Sequence, residues 1–406
     1  MRIRVRPVTR LSGTIEVPGD KSVSHRAALL GAVASGRTEI TGYLEGEDCL
    51  NTLRSVEKLG VLVTRKGPGH YLVDGAGLMG LREPEDILDC GNSGTGARLL
   101  LGVLAGQPFW TFLTGDASLR QRPMKRVTEP LAAMGASAQI KTALLLAGLW
   151  AEGPVSVTEP AQSRDHTERM LAGFGARLSV DGRTVTITPG RELRGQAVAV
   201  PGDISSAAFL LVAGALVGDG RVTVARVGAN PTRAGLLDVL ASMGARVERG
   251  VESSAAGEPV TDLTTVSTAL RGTHVGGELI PRLIDEVPIL AVAACAAAGR
   301  TRITDAAELR VKESDRIGAI AAELGRMGAR VAERPDGLEI EGGARLRGAT
   351  VGSGGDHRMA MALVVAGLIA EGETVVEDTA CINTSYPGFV AAVNSLAGRV
   401  CAEELP

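Results

Sequence analysis

Six times along this chain, a helix-length segment of almost only apolar and small residues gives way at a glycine to a strand-like run. The pairs read RAALLGAVASG/RTEITG, ARLLLGVLAG/QPFWTFLTG, KTALLLAGLWAEG/PVSVTEP, AAFLLVAGALVGDG/RVTVARV, PILAVAACAAAG/RTRITDA and MALVVAGLIAEG/ETVVEDT. The glycines fall at Gly36, Gly106, Gly153, Gly220, Gly299 and Gly372. A second, charged helix closes most units with VEKLGV, LAAMGA, LAGFGA, LASMGA or LGRMGA. Self-similarity of this kind marks an array of one supersecondary unit. The first helices are apolar on every side, so each is expected to lie inside its domain, with strands and charged helices outside.

A chain of 406 residues is too long for one ordinary core, and six units divide naturally into two domains of three. The tetrapeptide VPGD occurs at 17–20 and again at 200–203, each time before an apolar helix. Proline presets φ, glycine permits an unusual turn and aspartate caps the helix that follows, so both copies read as chain crossings between domains. One domain is then expected to hold 1–19 and 202–406, the other 20–201. The site's halves would ride on different domains, which predicts open and closed states. The second unit is short: LAAMGA runs directly into SAQIKTALLL, where other units insert two strands. Either the chain has lost those strands after Ala136 or a segment is omitted there; the unpaired sheet edge left by a true deletion favours omission.

Hydrophobic residues make up 45% of the chain but aromatics only 2%, so the core is built from Ala, Val, Leu and Ile and no base-stacking surface is expected. The formal net charge of −3 argues against nucleic acid as a partner. Lysine occurs only at Lys21, Lys58, Lys66, Lys125, Lys141 and Lys312; the remaining basic side chains are arginines, suited to bidentate capture of carboxylate or phosphate. Cys49, Cys90, Cys295, Cys381 and Cys401 are odd in number and lack C-x-x-C spacing, which reads as reduced thiols in a cytoplasmic protein. The first residues alternate like a strand rather than a secretory leader, and no apolar run reaches membrane-spanning length.

Charge gathers where the buried helices begin. Lys21, Ser22 and Arg26 occupy the first turns after Asp20, where free N–H groups favour an anion. DCGNSGTGARLL (89–100) is a glycine-rich turn that fits neither dinucleotide nor P-loop spacing, so no nucleotide cofactor is expected. SLRQRPMKRV (118–127) packs Arg120, Arg122, Lys125 and Arg126 together, as a solvated basic turn or as a site. Lys312, Glu313 and Arg316 in LRVKESDRIGAI alternate in sign; a surface salt-bridge ladder is the plain reading. Asp285 and Glu286 in LIDEVPIL are explained by N-capping, and Asp356, His357 and Arg358 stand at the mouth of another apolar helix. What these places share is position. Helix N-termini aimed into one interdomain cleft would attract small anions carrying phosphate and carboxylate.

Eight motifs in order, VPGDKSVSHR, GNSGTGARL, QRPM, SAQIKTALLLAG, SRDHTERML, IDEVPILA, RVKESDRI and GGDHRMAMAL, make the chain resemble the 5-enolpyruvylshikimate-3-phosphate synthases over nearly its full length. The resemblance implies an α/β fold: a two-domain inside-out α/β barrel of six βαβαββ repeats. It implies transfer of the enolpyruvyl group of phosphoenolpyruvate to shikimate 3-phosphate by a cytoplasmic monomer, with no metal or organic cofactor and no nucleic-acid or membrane partner. By that resemblance Ser22, Arg26, Ser137, Gln139 and Ser163 hold shikimate 3-phosphate, with Lys21, Asp285 and Lys312 beside it. Asn92, Gly94, Arg122, Arg316 and Arg358 hold phosphoenolpyruvate, with Lys21 and Gln139 near. Asp285 and Glu313 match the catalytic carboxylates, with Lys21 sharing the proton work. Gly94, rather than a bulkier residue, implies sensitivity to glyphosate. Three features depart from the pattern: Thr384 in CINTSYP where some members carry lysine, Glu308 where some carry asparagine, and the short second unit. The UDP-N-acetylglucosamine enolpyruvyl transferases are the alternative, but GDASLRQRPM lacks their loop cysteine. A non-catalytic anion binder on the same scaffold is the other.

Overall fold

A computed structural model of the chain describes residues 1–125, 127 and 138–405. It divides into two compact units: Met1–Pro18 with Gly202–Ser253 and Val260–Pro406, and Gly19–Pro201 with Ser254–Pro259. The expectation that 202–406 stays in one domain needs one amendment. Residues 254–259 belong with the second unit, where Glu258 meets His166 at 2.8 Å and the Gly257 carbonyl accepts from Arg169 at 3.2 Å.

In the first unit three apolar helices, Ile204–Leu216, Val287–Ala296 and His357–Ile369, pack on one another at the centre. Three sheets surround this core, and each contains one parallel pair: Arg10–Glu16 with Asp219–Gly228, His274–Val275 with Arg300–Ile303, and Thr350–Gly352 with Thr374–Glu377. A helix without a polar side cannot face water, and so it is enclosed. In Ile204–Leu216 every residue but the last is buried.

The second unit repeats the plan around Lys21–Val33, Gly94–Leu104 and Ala138–Ala147. Its sheets are unequal. The first has four strands, with Ala197–Ala199 parallel to Ser35–Thr41; the second has two, Leu88–Asp89 and Leu113–Thr114; the third has three antiparallel strands between 155 and 188. Among the described residues, then, the second repeat lacks an antiparallel hairpin and the third lacks a parallel partner. Consistent with this, Gly94–Leu104 is buried on one face only, and nearby Trp110 and Phe112 are 83% and 69% exposed. The junction at Ala136 that the sequence marks as short lies outside the described residues.

The two VPGD segments do the same work. The strand Arg10–Glu16 belongs to the first unit's sheet, yet the helix it leads into, Lys21–Val33, belongs to the second. Ala197–Ala199 makes the reverse passage, from the second unit's sheet to Ile204–Leu216. The segments also bond reciprocally: Asp20 N–H donates to the Pro201 carbonyl at 2.8 Å, and Asp203 N–H to that of Pro18 at 2.9 Å. Both aspartates then cap their helices, Asp20 accepting from Val23 N–H and Asp203 from Ser205 N–H. Gly19 has a steric reason as well, since a Cβ there would lie 1.8 Å from the Gly42 carbonyl oxygen.

Candidate active site

In the second unit, Lys21 opens its helix with the ammonium against the Asp48 carboxylate, and both side chains are largely buried. Asp48 lies in the first turn of the helix Glu47–Lys58 and was not anticipated; an acidic residue there carries no sequence signal beyond dipole compensation. Arg26 sits one turn deeper. Its Nε donates to Thr167 at 2.8 Å, one terminal nitrogen to Thr142 at 2.9 Å and the other to the Ser22 carbonyl at 3.0 Å. Burial lowers its pKa to about 10, with Glu168 and Asp20 opposing the shift. Between Lys21 and Arg26, His25 is wholly buried against Thr52 at 2.7 Å. Burial lowers that imidazole to about 3; Asp48 opposes the shift while Lys21 and Arg26 add to it, so the ring is neutral.

The glycine-rich turn builds a second cluster. Ser93, not Asn92, caps the helix, accepting from Gly96 N–H at 2.9 Å. That leaves the Asn92 amide to bridge Arg122 and Asp116, each at 2.6 Å. A Cβ added at Gly94 would meet Arg122 and Arg98 nitrogens at 3.1 Å each. Two guanidinium groups therefore converge on a helix N-terminus, a geometry that binds carboxylate or phosphate. Arg98, one helical turn after Gly94, was missed in the sequence. Of the other basic residues in that stretch, Arg120 and Lys125 are exposed and Arg126 lies outside the described residues.

The expected sugar-phosphate residues meet in part. The Ser163 hydroxyl donates to Glu159, whose other oxygen accepts from Lys141 at 3.0 Å; Lys141 also reaches Glu168 at 2.5 Å. Lys141 is 1% exposed, and this ion trio borders a cavity of about 320 Å³ that includes Ser163 and Asp165 in its wall. Ser137 lies outside the described residues, and of Gln139 only its place on Ala138–Ala147 is described.

In the first unit the plain readings of the charged runs fail. Arg316 is no surface ladder: it is fully buried, and its guanidinium reaches Asp356 at 2.8 Å, Glu313 at 2.7 Å and Asp285 at 3.5 Å. Burial works against that charge, but Asp356, Glu313 and Asp285 outweigh it and hold the guanidinium above its ordinary pKa. Asp285 is no cap either. It lies in a short 3-10 turn before Val287–Ala296, whose N-terminus has no side-chain cap bond. Its carboxylate instead faces Arg316 at 3.5 Å, Arg358 at 3.7 Å and Lys312 at 4.0 Å. Lys312 and Glu313 precede the helix Arg316–Arg326 rather than riding on it, because Asp315 caps that helix through Gly318 N–H. Two departures noted in the sequence are also placed. Glu308 pairs with Lys312 at 3.5 Å, and Thr384 donates to the Cys381 carbonyl at 2.7 Å within its own 3-10 turn.

Among the described residues no group of three or more His, Cys, Asp or Glu side chains is arranged to hold a metal ion, and no helix is long and apolar enough to cross a membrane. Burial raises the thiols of Cys90 and Cys295 to about 12, which leaves them protonated. The first unit sets the carboxylates of Asp285 and Glu313 on Arg316, and the second sets Lys21 against Asp48, side chains of the types that can move protons and take anions.

The family model described as EPSP synthase (3-phosphoshikimate 1-carboxyvinyltransferase) matches residues 5–138 and 136–393. A 3-phosphoshikimate 1-carboxyvinyltransferase of Desulforudis audaxviator is 50% identical over 426 aligned positions, covering 98% of this chain and 99% of that protein. One from Geobacter sulfurreducens is 50% identical over 423, covering 97% and 98%. An EPSP synthase structure from Acinetobacter baumannii superposes with a TM-score of 0.89 at 40% identity, covering 99% of each chain. The 426 aligned positions exceed the 406 residues here, so the Desulforudis protein has residues without a counterpart, and the family match divides at 136–138. Both facts accord with a short second repeat. Matched in sequence over most of its length and in fold throughout, the chain belongs to the EPSP synthase family.

Proposed function

We propose that this chain transfers the enolpyruvyl group of phosphoenolpyruvate to the 5-hydroxyl of shikimate 3-phosphate, the step of the shikimate pathway that leads to chorismate and the aromatic amino acids. The observation that carries the reading is Arg316, one buried guanidinium that holds both Asp285 and Glu313. Addition needs a proton delivered to the methylene carbon while the hydroxyl oxygen attacks the adjacent carbon. Elimination takes a proton from the new methyl group and expels phosphate. Two carboxylates in different settings suit these opposed tasks. Asp285, facing three cations, is set to orient the hydroxyl and accept its proton. Glu313, more exposed and bonded to the Arg316 guanidinium, handles the carbon proton with Lys21.

Arg122, Arg358 and the helix N-terminus at Gly94, with Asn92 bridging, are assigned to phosphoenolpyruvate, where they stabilise charge as phosphate leaves. Arg316 belongs with them. Ser22, Ser163, Arg26 and Lys312 are assigned to the sugar phosphate, with Ser137 and Gln139. The enzyme acts as a monomer without metal or organic cofactor, and glyphosate competes at the Gly94 site.

Phosphate release measured with both substrates tests the reading, with UDP-N-acetylglucosamine as the control acceptor. Turnover with shikimate 3-phosphate alone is expected. Glu313→Gln should keep substrate binding and lose about 10²–10⁴ in kcat; near-normal turnover refutes the assigned role.

A further inference from the structure

A buried carboxylate stands immediately after Asp285, and the proposed reaction has no use for it. Glu286 is 1% exposed. Its Oε1 accepts from the Ser205 hydroxyl, which also receives a bond from Arg233 at 2.7 Å. Its Oε2 is buried with no hydrogen-bond partner. A residue kept for stability alone would have both oxygens satisfied, because a buried acceptor left open costs free energy and a neutral glutamine would meet Ser205 equally well. Burial raises the Glu286 pKa, and Arg233 and Arg358 oppose that shift, so these two guanidinium groups are what sustain a charge here. Two cations face it: Arg233, bound to the same Ser205 hydroxyl, and Arg358, one terminal nitrogen of which lies 3.7 Å from Glu286 Oε1 and donates to the Asp285 carbonyl at 3.3 Å.

We infer that Glu286 is a positioning residue for Arg358: Arg233 and Ser205 clamp the carboxylate, and the carboxylate fixes one edge of the Arg358 guanidinium from the buried side. The other terminal nitrogen, 3.7 Å from the Asp285 carboxylate, is thereby held in one orientation, and less orientational freedom is lost when an anion binds the guanidinium. This also accounts for the second VPGD helix, which opens with ISSAA and carries no charge of its own. Ser205, in its first turn, relays the orientation set by Arg233. The inference rests on the assignment of Arg358 to phosphoenolpyruvate.

Steady-state kinetics of Glu286→Gln test it. The KM for phosphoenolpyruvate should rise about tenfold while that for shikimate 3-phosphate moves less than twofold. Ser205→Ala should move the same constant in the same direction by about threefold, and it decides the matter if Glu286→Gln fails to fold. In an Arg358→Lys background Glu286→Gln should add less than twofold, because the two act as one unit. An unchanged or lower KM for phosphoenolpyruvate, an equal rise in both constants, or full additivity with Arg358→Lys overturns the inference and leaves Glu286 as a structural partner of Arg233. If Arg358→Lys itself leaves the KM for phosphoenolpyruvate unchanged, the assignment of that arginine fails instead.

Discussion

The Arg316 guanidinium donates to both oxygens of Asp356, at 2.8 and 3.2 Å, and neither side chain reaches solvent. Asp356 also caps His357–Ile369 through Arg358 N–H at 2.9 Å, so one carboxylate fixes a helix start and a buried cation together. Burial works against its charge, but Arg316, with His357, outweighs that and holds the carboxyl below its ordinary range.

Removing this carboxylate should be costly, because the cation it leaves behind is desolvated. Asp356→Ala is expected to destabilise the protein by about 3–5 kcal/mol. For a unit of this size that lowers Tm by about 10 °C in a thermal melt. Asp356→Asn, which keeps an acceptor for the cap, should fall by less. A melt of Asp356→Ala within about 2 °C of the parent contradicts the account.

His25 sets a pH dependence with a definite sign. Its folded pKa of about 3 lies below the unfolded value of 6.5, so above pH 6.5 the ring is neutral in both states and costs nothing. As pH falls below 6.5 the unfolded chain takes up a proton that the folded one refuses, and stability drops continuously towards pH 3. Between pH 6.5 and 5 this amounts to roughly 2 kcal/mol. Urea unfolding at pH 7 and pH 5 should therefore show the parent losing about 2 kcal/mol more than His25→Gln. Equal losses would remove His25 from the explanation.

Gly94 leaves room that Arg98 and Arg122 share. A methyl group there would sit 3.1 Å from a nitrogen of each and would push at least one aside. Both side chains are flexible, so the fold should survive while anion capture weakens. Gly94→Ala is expected to melt within about 3 °C of the parent and to raise the KM for phosphoenolpyruvate about tenfold, with a smaller change for shikimate 3-phosphate. Unaltered kinetics would mean that the two guanidinium groups do not meet the ligand.

What could be read from the residues alone was whatever repeats or stays local. The apolar segments had to be interior where they offer water no polar face, Gly94–Leu104 with its Arg98 being buried on one face only, and the paired VPGD turns read as crossings because each combines a fixed φ, a side-chain-free glycine and a cap. Periodicity and capping act over a few residues, so one sequence displays them. Which charges meet was decided by tertiary structure. Arg316 reads as a surface ladder until Asp356, forty residues on, closes over it, and Asp285 reads as a cap until Lys312, Arg316 and Arg358 surround it. Asp48, Arg98 and Lys141 gave no signal and Glu286 only that of a cap, because an isolated ionisable residue looks the same in sequence whether solvated or buried. Only the packing of distant helix ends settles which ions lose their water and must find one another.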